Sequence, residues 1–195
     1  MKKKERSVNI PTIEEVENEQ KRLRHQAVYQ RTLRGTIAVL LVVAAISVLV
    51  ATLWMPVLQI YGSSMSPTLE AGQIVVSVKT NQLKTGEVVA FWQGNKLLVK
   101  RVIAGPGQWV DIDMDGNVTV DGKELIEDYL DVKALGNCDV ELPHQVEESR
   151  WFLMGDNRDV SVDSRSAAIG DVSKDQIEGK IVFRIWPLKE FGSMQ

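Results

Sequence analysis

An all-β domain carried behind one N-terminal transmembrane α-helix is the architecture this sequence predicts. Three observations lead there. Residues 36–55 run from Thr36 to Met55 without a charge. The chain after Met55 falls into short β-branched and aromatic runs punctuated by Gly, Asp and Asn. No convincing soluble helix interrupts those runs, and many short strands with turn signals between them indicate an all-β fold.

The N-terminal part reads as helix. Thr12 is placed to cap it, with Glu15 three residues on as its capping-box partner. Ile13, Val16, Leu23 and Val28 make only a thin apolar stripe, which predicts a solvated helix. The uncharged run that follows is about 30 Å long at roughly 1.5 Å per residue, the thickness of a bilayer's hydrocarbon core. Arg31 and Arg34 flank its N-terminal side, which the positive-inside rule assigns to the cytoplasm, and Trp54 sits where an interfacial aromatic belongs. The hydrophobic region of a cleaved signal is shorter, about 7–15 residues. Here a long polar stretch precedes the run and no Ala-x-Ala pattern directly follows it, so a permanent anchor is expected. The expected organisation is a cytoplasmic basic segment at 1–34, a transmembrane helix at 35–55 and an extracytoplasmic domain at 56–195.

Pro56 ends the helix. Extended segments are expected at 57–61, 73–78, 86–92 and 96–103, the last two joined by a turn at Gly94-Asn95. Residues 108–113 and 117–120 read as a hairpin with an Asp115-Gly116 turn, and Asp121-Gly122 makes another. Residues 123–150 are acidic and aperiodic, suited to loops and short strands. Trp151 to Met154 is an apolar strand, and Ile181 to Trp186 a final one.

Charge is distributed unevenly. The whole chain carries a formal −3, which offers nucleic acid no obvious surface. Residues 1–34 hold nine Lys and Arg against five Asp and Glu, a net +4, and the remainder 14 against 21, a net −7. A basic head and an acidic body on either side of an apolar run suggest opposite sides of a membrane. Cys138 is the only cysteine, which excludes an intramolecular disulfide and a multi-cysteine zinc site. Asp156, Asp159 and Asp163 do not have calcium-loop spacing, so no metal is expected.

The chemistry centres on Gly62-Ser63-Ser64-Met65-Ser66-Pro67-Thr68-Leu69. Hydroxyls clustered in such a loop are ordinary turn residues unless a base stands by one of them. The only imidazoles are His25 and His144, and neither lies in a rich motif. The alternative base is a lysine kept neutral by burial, since serine–lysine pairs are a variant of the triad. Lys100, among Leu97, Leu98, Val99 and Val102, is the candidate. A lysine near its reference pKa of about 10.4 is protonated and cannot accept a proton, but burial lowers that value. Spacing alone does not separate Ser63, Ser64 and Ser66.

The three stretches GSSMSPTL, LLVKRVIAGPGQWV and MGDNRDVSVDSR, in that order behind one apolar segment, resemble the motif boxes of bacterial type I signal peptidases. The likeness is to the short, Gram-positive-like form, over roughly residues 57–187. It implies a membrane-bound serine endopeptidase that removes signal peptides from exported preproteins, folded as mostly antiparallel coiled sheets. Ser64 matches the family's nucleophile and Lys100 its general base. Ser161 and Asp163 match positions near the lysine, with Ser161 expected to orient its amine. Asp156 with Arg101, and Asp163 with Arg165, are the expected bracing ion pairs. Leu58, Ile60, Met65, Leu69, Val75, Ala90, Leu98 and Val99 are the implied pocket residues, suited to small side chains at the −1 and −3 positions of the substrate. No cofactor is implied. The partners implied are preproteins and membrane lipid, with the secretion translocon nearby.

Two departures stand out. Gly62 occupies a position where some members place a serine hydroxyl for the oxyanion, and 166–169 lack the aromatic and glycine often found there. Three other readings fit parts of the pattern. Self-cleaving repressors share serine–lysine chemistry but need a DNA-binding domain where this chain has an apolar run. The endoplasmic-reticulum form of signal peptidase uses His where Lys100 stands. A catalytically silent anchored scaffold would not need both Ser64 and Lys100.

Overall fold

The structure, a computed structural model, describes residues 12–80 and 82–194. The chain divides into two compact units at the Val50–Ala51 junction. In the first, one helix dominates: α1 runs from Ile13 to Trp54, 42 residues, with none of them buried. Its start is capped as the sequence suggests. The Thr12 N–H donates to Glu15 Oε2 at 2.9 Å, and the Glu15 N–H donates to Thr12 Oγ1 at 3.4 Å. Residues 1–11 of the basic segment lie outside the described residues.

The sequence reading separated a solvated helix from the apolar span, but α1 passes without a break through Gly35. A lone glycine costs a helix only about 1 kcal/mol and, unlike proline, keeps its N–H. Thr32 and Thr36 turn their hydroxyls back onto the helix, donating to the Val28 and Thr32 carbonyls at 2.9 and 3.0 Å. Among the described residues α1 is the one helix long and apolar enough to cross a membrane. The last helical turn closes with the Met55 N–H on the Ala51 carbonyl at 2.8 Å, immediately before Pro56.

Among its described residues the second unit has twelve strands: β1 Val57–Gln59, β2 Ile74–Val78, β3 Val88–Gln93, β4 Lys96–Ala104, β5 Trp109–Ile112, β6 Val118–Val120, β7 Lys123–Glu124, β8 His144–Gln145, β9 Arg150–Met154, β10 Val172–Ser173, β11 Ile177–Trp186 and β12 Gly192–Ser193. The larger sheet has the order β1-β2-β11-β3-β4-β9-β10, with β12 alongside β11; the smaller is β7-β6-β5-β8. All pairings are antiparallel. The ten residues of β11 form the middle of the larger sheet, between β2 and β3. The expected hairpin is present, pairing Val110 with Val120 and Ile112 with Val118. Asp121 and Gly122, which turn β6 into β7, both have positive φ, 52° and 74°, as a two-residue primed turn requires.

The apolar core has three clusters. Ile60, Met65, Leu69, Val75, Val88, Ala90 and Ile181 lie beneath the serine loop. Val89, Phe91, Val102, Trp151, Leu153 and Val172 form a second cluster. Ile103, Val110, Ile112, Val118, Phe152 and Met154 join the two sheets. Successive residues of β3, such as Val89 and Ala90, enter different clusters, so this part of the sheet is covered on both faces. That double cover leaves a side chain on the adjoining β4 little route to water.

Candidate active site

The serine loop follows β1 and is held from below. The Leu69 N–H donates to the Met65 carbonyl at 2.8 Å and the Ser66 N–H to the Ser63 carbonyl at 3.1 Å. Met65 and Leu69 are buried in the core beneath. With its apolar residues drawn inward, the loop presents Ser64 half-buried, while Ser63 is exposed. The 155–165 loop holds it from the side, where the Asn157 N–H donates to the Ser64 carbonyl at 3.1 Å.

Lys100 Nζ lies 2.6 Å from Ser64 Oγ. The lysine is 3% exposed. Burial brings its pKa down from 10.5 to about 8; Asp163 and Asp156 oppose that change and Arg165 adds to it. At that value the amine is neutral for a large fraction of the protein at mildly alkaline pH.

Both expected ion pairs form, and both are buried. Arg101 meets Asp156 with two bonds, Nε to Oδ1 at 2.9 Å and Nη2 to Oδ2 at 2.6 Å. Arg165 meets Asp163 likewise, with Nε to Oδ1 and Nη2 to Oδ2 each at 2.8 Å. Burial works against ionisation of Asp163, but Arg165 and the Gly155 N–H outweigh it and hold the carboxyl below the usual carboxylate range. The expected contact from Ser161 to the lysine amine is not made. The Ser161 hydroxyl is buried beside Asp163 and helps to hold that carboxyl low, while the amine makes its expected bond to Ser64. Gly155 explains how closely these parts approach: a Cβ there would come within 2.2 Å of Ser161 Oγ and 2.5 Å of the Ser64 carbonyl oxygen.

A cleft of about 540 Å³ opens beside Ser64 and Lys100. Leu58, Ile60, Met65, Leu98 and Val99 line it, as the motifs imply. Leu69, Val75 and Ala90 do not. Each is fully buried in the cluster below, because the loop and the sheet close over them. The sequence reading omitted Tyr61, Trp92 and Leu97, which also line the cleft. The Gly94-Asn95 turn carried the missing signal, since it pairs Trp92 with Leu97 across the β3–β4 hairpin. It omitted Arg158 as well, which is 1% exposed and donates Nε to the Gly155 carbonyl at 3.0 Å. Among the described residues β1 has a neighbour on one edge only, and β9 pairs with β4 only from Arg101 onward. The cleft is therefore bordered by two strands with unpaired edges.

A family model described as signal peptidase, peptidase S26, matches residues 33–186. Signal peptidase IB of Staphylococcus aureus (strain COL) is 39% identical over 153 residues, 68% of this chain and 78% of that protein. Signal peptidase I T of Bacillus subtilis (strain 168) is 35% identical over 142 residues, 66% of this chain and 72% of that protein. A crystal structure of a signal peptidase I from Enterococcus faecalis V583 aligns at a TM-score of 0.43 and 25% identity, covering 52% of this chain and 98% of that one. With the family model matching more than three quarters of its length, the chain belongs to the peptidase S26 signal peptidases, hydrolases that cleave signal peptides from preproteins.

Proposed function

We propose that Ser64 and Lys100 form the nucleophile–base dyad of this peptidase. The observation that carries the reading is the 2.6 Å separation of Lys100 Nζ from Ser64 Oγ, with the lysine buried and its pKa brought to about 8. Neutral Lys100 takes the Ser64 Oγ proton as Oγ attacks the scissile carbonyl carbon. The carbonyl electron pair moves onto oxygen, where the Ser64 N–H receives it. The Lys100 ammonium then protonates the departing amine of the mature chain. The C–N bond breaks, leaving the signal peptide as an ester on Ser64. Water gives a proton to Lys100 and attacks the ester; Ser64 leaves as the alkoxide and recovers that proton. No step needs a metal or cofactor, and nucleic acid has no part in it.

The substrate enters extended, bonding to the free edges of β1 and β4 as an added strand. Leu58, Ile60, Met65, Leu98 and Val99 then present shallow apolar sites for small −1 and −3 side chains. The test is cleavage of a purified test preprotein across pH. Ser64→Ala and Lys100→Ala each lose processing, and the double variant is no worse than either, because a dyad acts as a unit. The wild-type rate rises through pH about 8 and is unchanged by His144→Gln. Phe at −1 of the substrate blocks cleavage. Appreciable turnover by Lys100→Ala at neutral pH, or an ascending limb near 6.5, refutes the dyad.

The same reading places α1 in the cytoplasmic membrane as a single span, residues 1–34 inside and the β unit outside, in contact with lipid and near the translocon. The apolar helix and its basic flank support it. Cys138 reports the side: an impermeant maleimide labels it in intact protoplasts, and labelling only after lysis would reverse the orientation. Denatured protein controls for a shielded thiol.

A further inference from the structure

The segment between β7 and β8 has almost no regular structure, and its sequence suggests no role. It is nonetheless pinned down. Leu125, Leu135, Val140 and Leu142 pack against the cluster that joins the two sheets. Between these anchors it sends two side chains to the arginines of the site. Glu127, 6% exposed, forms an ion pair with the buried Arg158. The Tyr129 hydroxyl donates to Glu127 Oε1 at 2.9 Å. The Tyr129 ring centre lies 3.9 Å from Arg101 Cζ, a cation–π distance.

Arg101 is the residue after Lys100 and ties three segments together. It donates to Asp156 twice, to the Gly86 carbonyl through Nη1 at 2.6 Å, and to Thr68 Oγ1 through Nη2 at 3.1 Å. These bonds lie in the guanidinium plane and fix its edge. The face is covered by Tyr129. We propose that Tyr129, through its ring, is a positioning residue that holds Arg101 against Asp156 and thereby sets the charge Lys100 experiences. Two sets of charges bear on this. Lys100 faces Asp163, Arg165 and Asp156, with Arg101 beside it on β4. Tyr129 faces Glu127, Arg158 and Arg101. With the ring gone, Arg101 is free to tilt and Asp156 is less fully neutralised. A freer carboxylate favours the ammonium form of Lys100, so activity should need a higher pH.

The inference rests on Lys100 being the general base. The experiment is the pH dependence of kcat/KM for the full chain in detergent, with a test preprotein, for wild type, Tyr129→Phe, Tyr129→Trp, Tyr129→Leu and Tyr129→Met. The aromatic variants keep the wild-type limb. The aliphatic variants move it up by about half a pH unit or more and lower kcat about tenfold, with KM within about twofold. The methionine variant gives the same reading if the leucine variant does not fold. A purely structural role would lower the melting temperature and the fraction of active protein but leave the limb in place, and an unmoved limb in the aliphatic variants overturns the proposal. Failure of the dyad reading looks different: the wild type itself then has no limb near 8.

Discussion

In the smaller sheet the buried side chains are apolar, Val110, Ile112 and Val118, while the acids Asp113 and Asp121 stay in exposed turns. Around Ser64 the arrangement is reversed. Lys100, Arg101, Asp156, Arg158, Asp163 and Arg165 are all at most 3% exposed. The same residue types thus meet different conditions. In the turns a carboxylate accepts backbone N–H groups and remains in water, as Asp121 Oδ1 does from the Trp109 N–H at 2.9 Å. At the site each carboxylate is instead paired with a buried arginine, Asp156 with Arg101, Glu127 with Arg158 and Asp163 with Arg165. Taking ions out of water costs several kcal/mol each, and the partner recovers that only while the pair is intact. The larger sheet thus adds specific buried ion pairs to its apolar clusters, while the smaller sheet is held by apolar area alone.

The largest effect is expected at Asp163. Asp163→Asn leaves Arg165, fully buried, without its counter-charge and should cost about 3–5 kcal/mol, with loss of cleavage. Denaturant unfolding measures it, and a loss below about 1 kcal/mol would show that the site tolerates an unpaired guanidinium. The wild-type pair also has a pH signature. Since the folded Asp163 carboxyl titrates below its ordinary 3.8, its stabilisation is complete above that value and disappears as the pH falls through the lowered one.

At Lys100 the expected change in stability has the opposite sign. The lysine's folded pKa of about 8 lies below the ordinary 10.5, so the folded state resists the proton and stability rises as pH goes from 8 to 10.5. The depression corresponds to about 3 kcal/mol of burial cost at neutral pH. Lys100→Met should therefore abolish cleavage and yet raise stability at pH 7 by up to about that amount, the gain fading toward pH 10.5. Equal stabilities at pH 7 would mean that the buried ammonium carries no cost.

In the smaller sheet, Val118→Ala removes fully buried area and should cost about 2 kcal/mol while leaving the pH profile of cleavage unchanged. A shifted limb would show that the two halves are coupled. The smallest effect belongs to Asp121→Asn, which keeps the side-chain carbonyl as an acceptor for the Trp109 N–H in a solvated turn. Melting temperature and activity should both stay close to wild type.

By itself the sequence determined the apolar span, the longer strands and their turns, because these follow from local apolar pattern, Pro56, and the Gly and Asp punctuation; the unbroken passage of α1 through Gly35 and the two-residue strands β10 and β12 do not. It also marked Ser64, Lys100 and both ion pairs, through motifs whose members lie close in the chain or in recognisable boxes. Three matters were left to tertiary structure. Whether Leu69, Val75 and Ala90 line the cleft or underlie it depends on how the serine loop closes over the sheet, which alternation along a strand does not reveal. That the Ser161 hydroxyl stands by Asp163 and not on the Lys100 amine depends on where the 155–165 loop docks, a matter of the close approach at Gly155. The contacts of Glu127 and Tyr129 were invisible because their segment has no period of its own. It is shaped by the core it packs on, and its partners Arg101 and Arg158 come from distant parts of the chain.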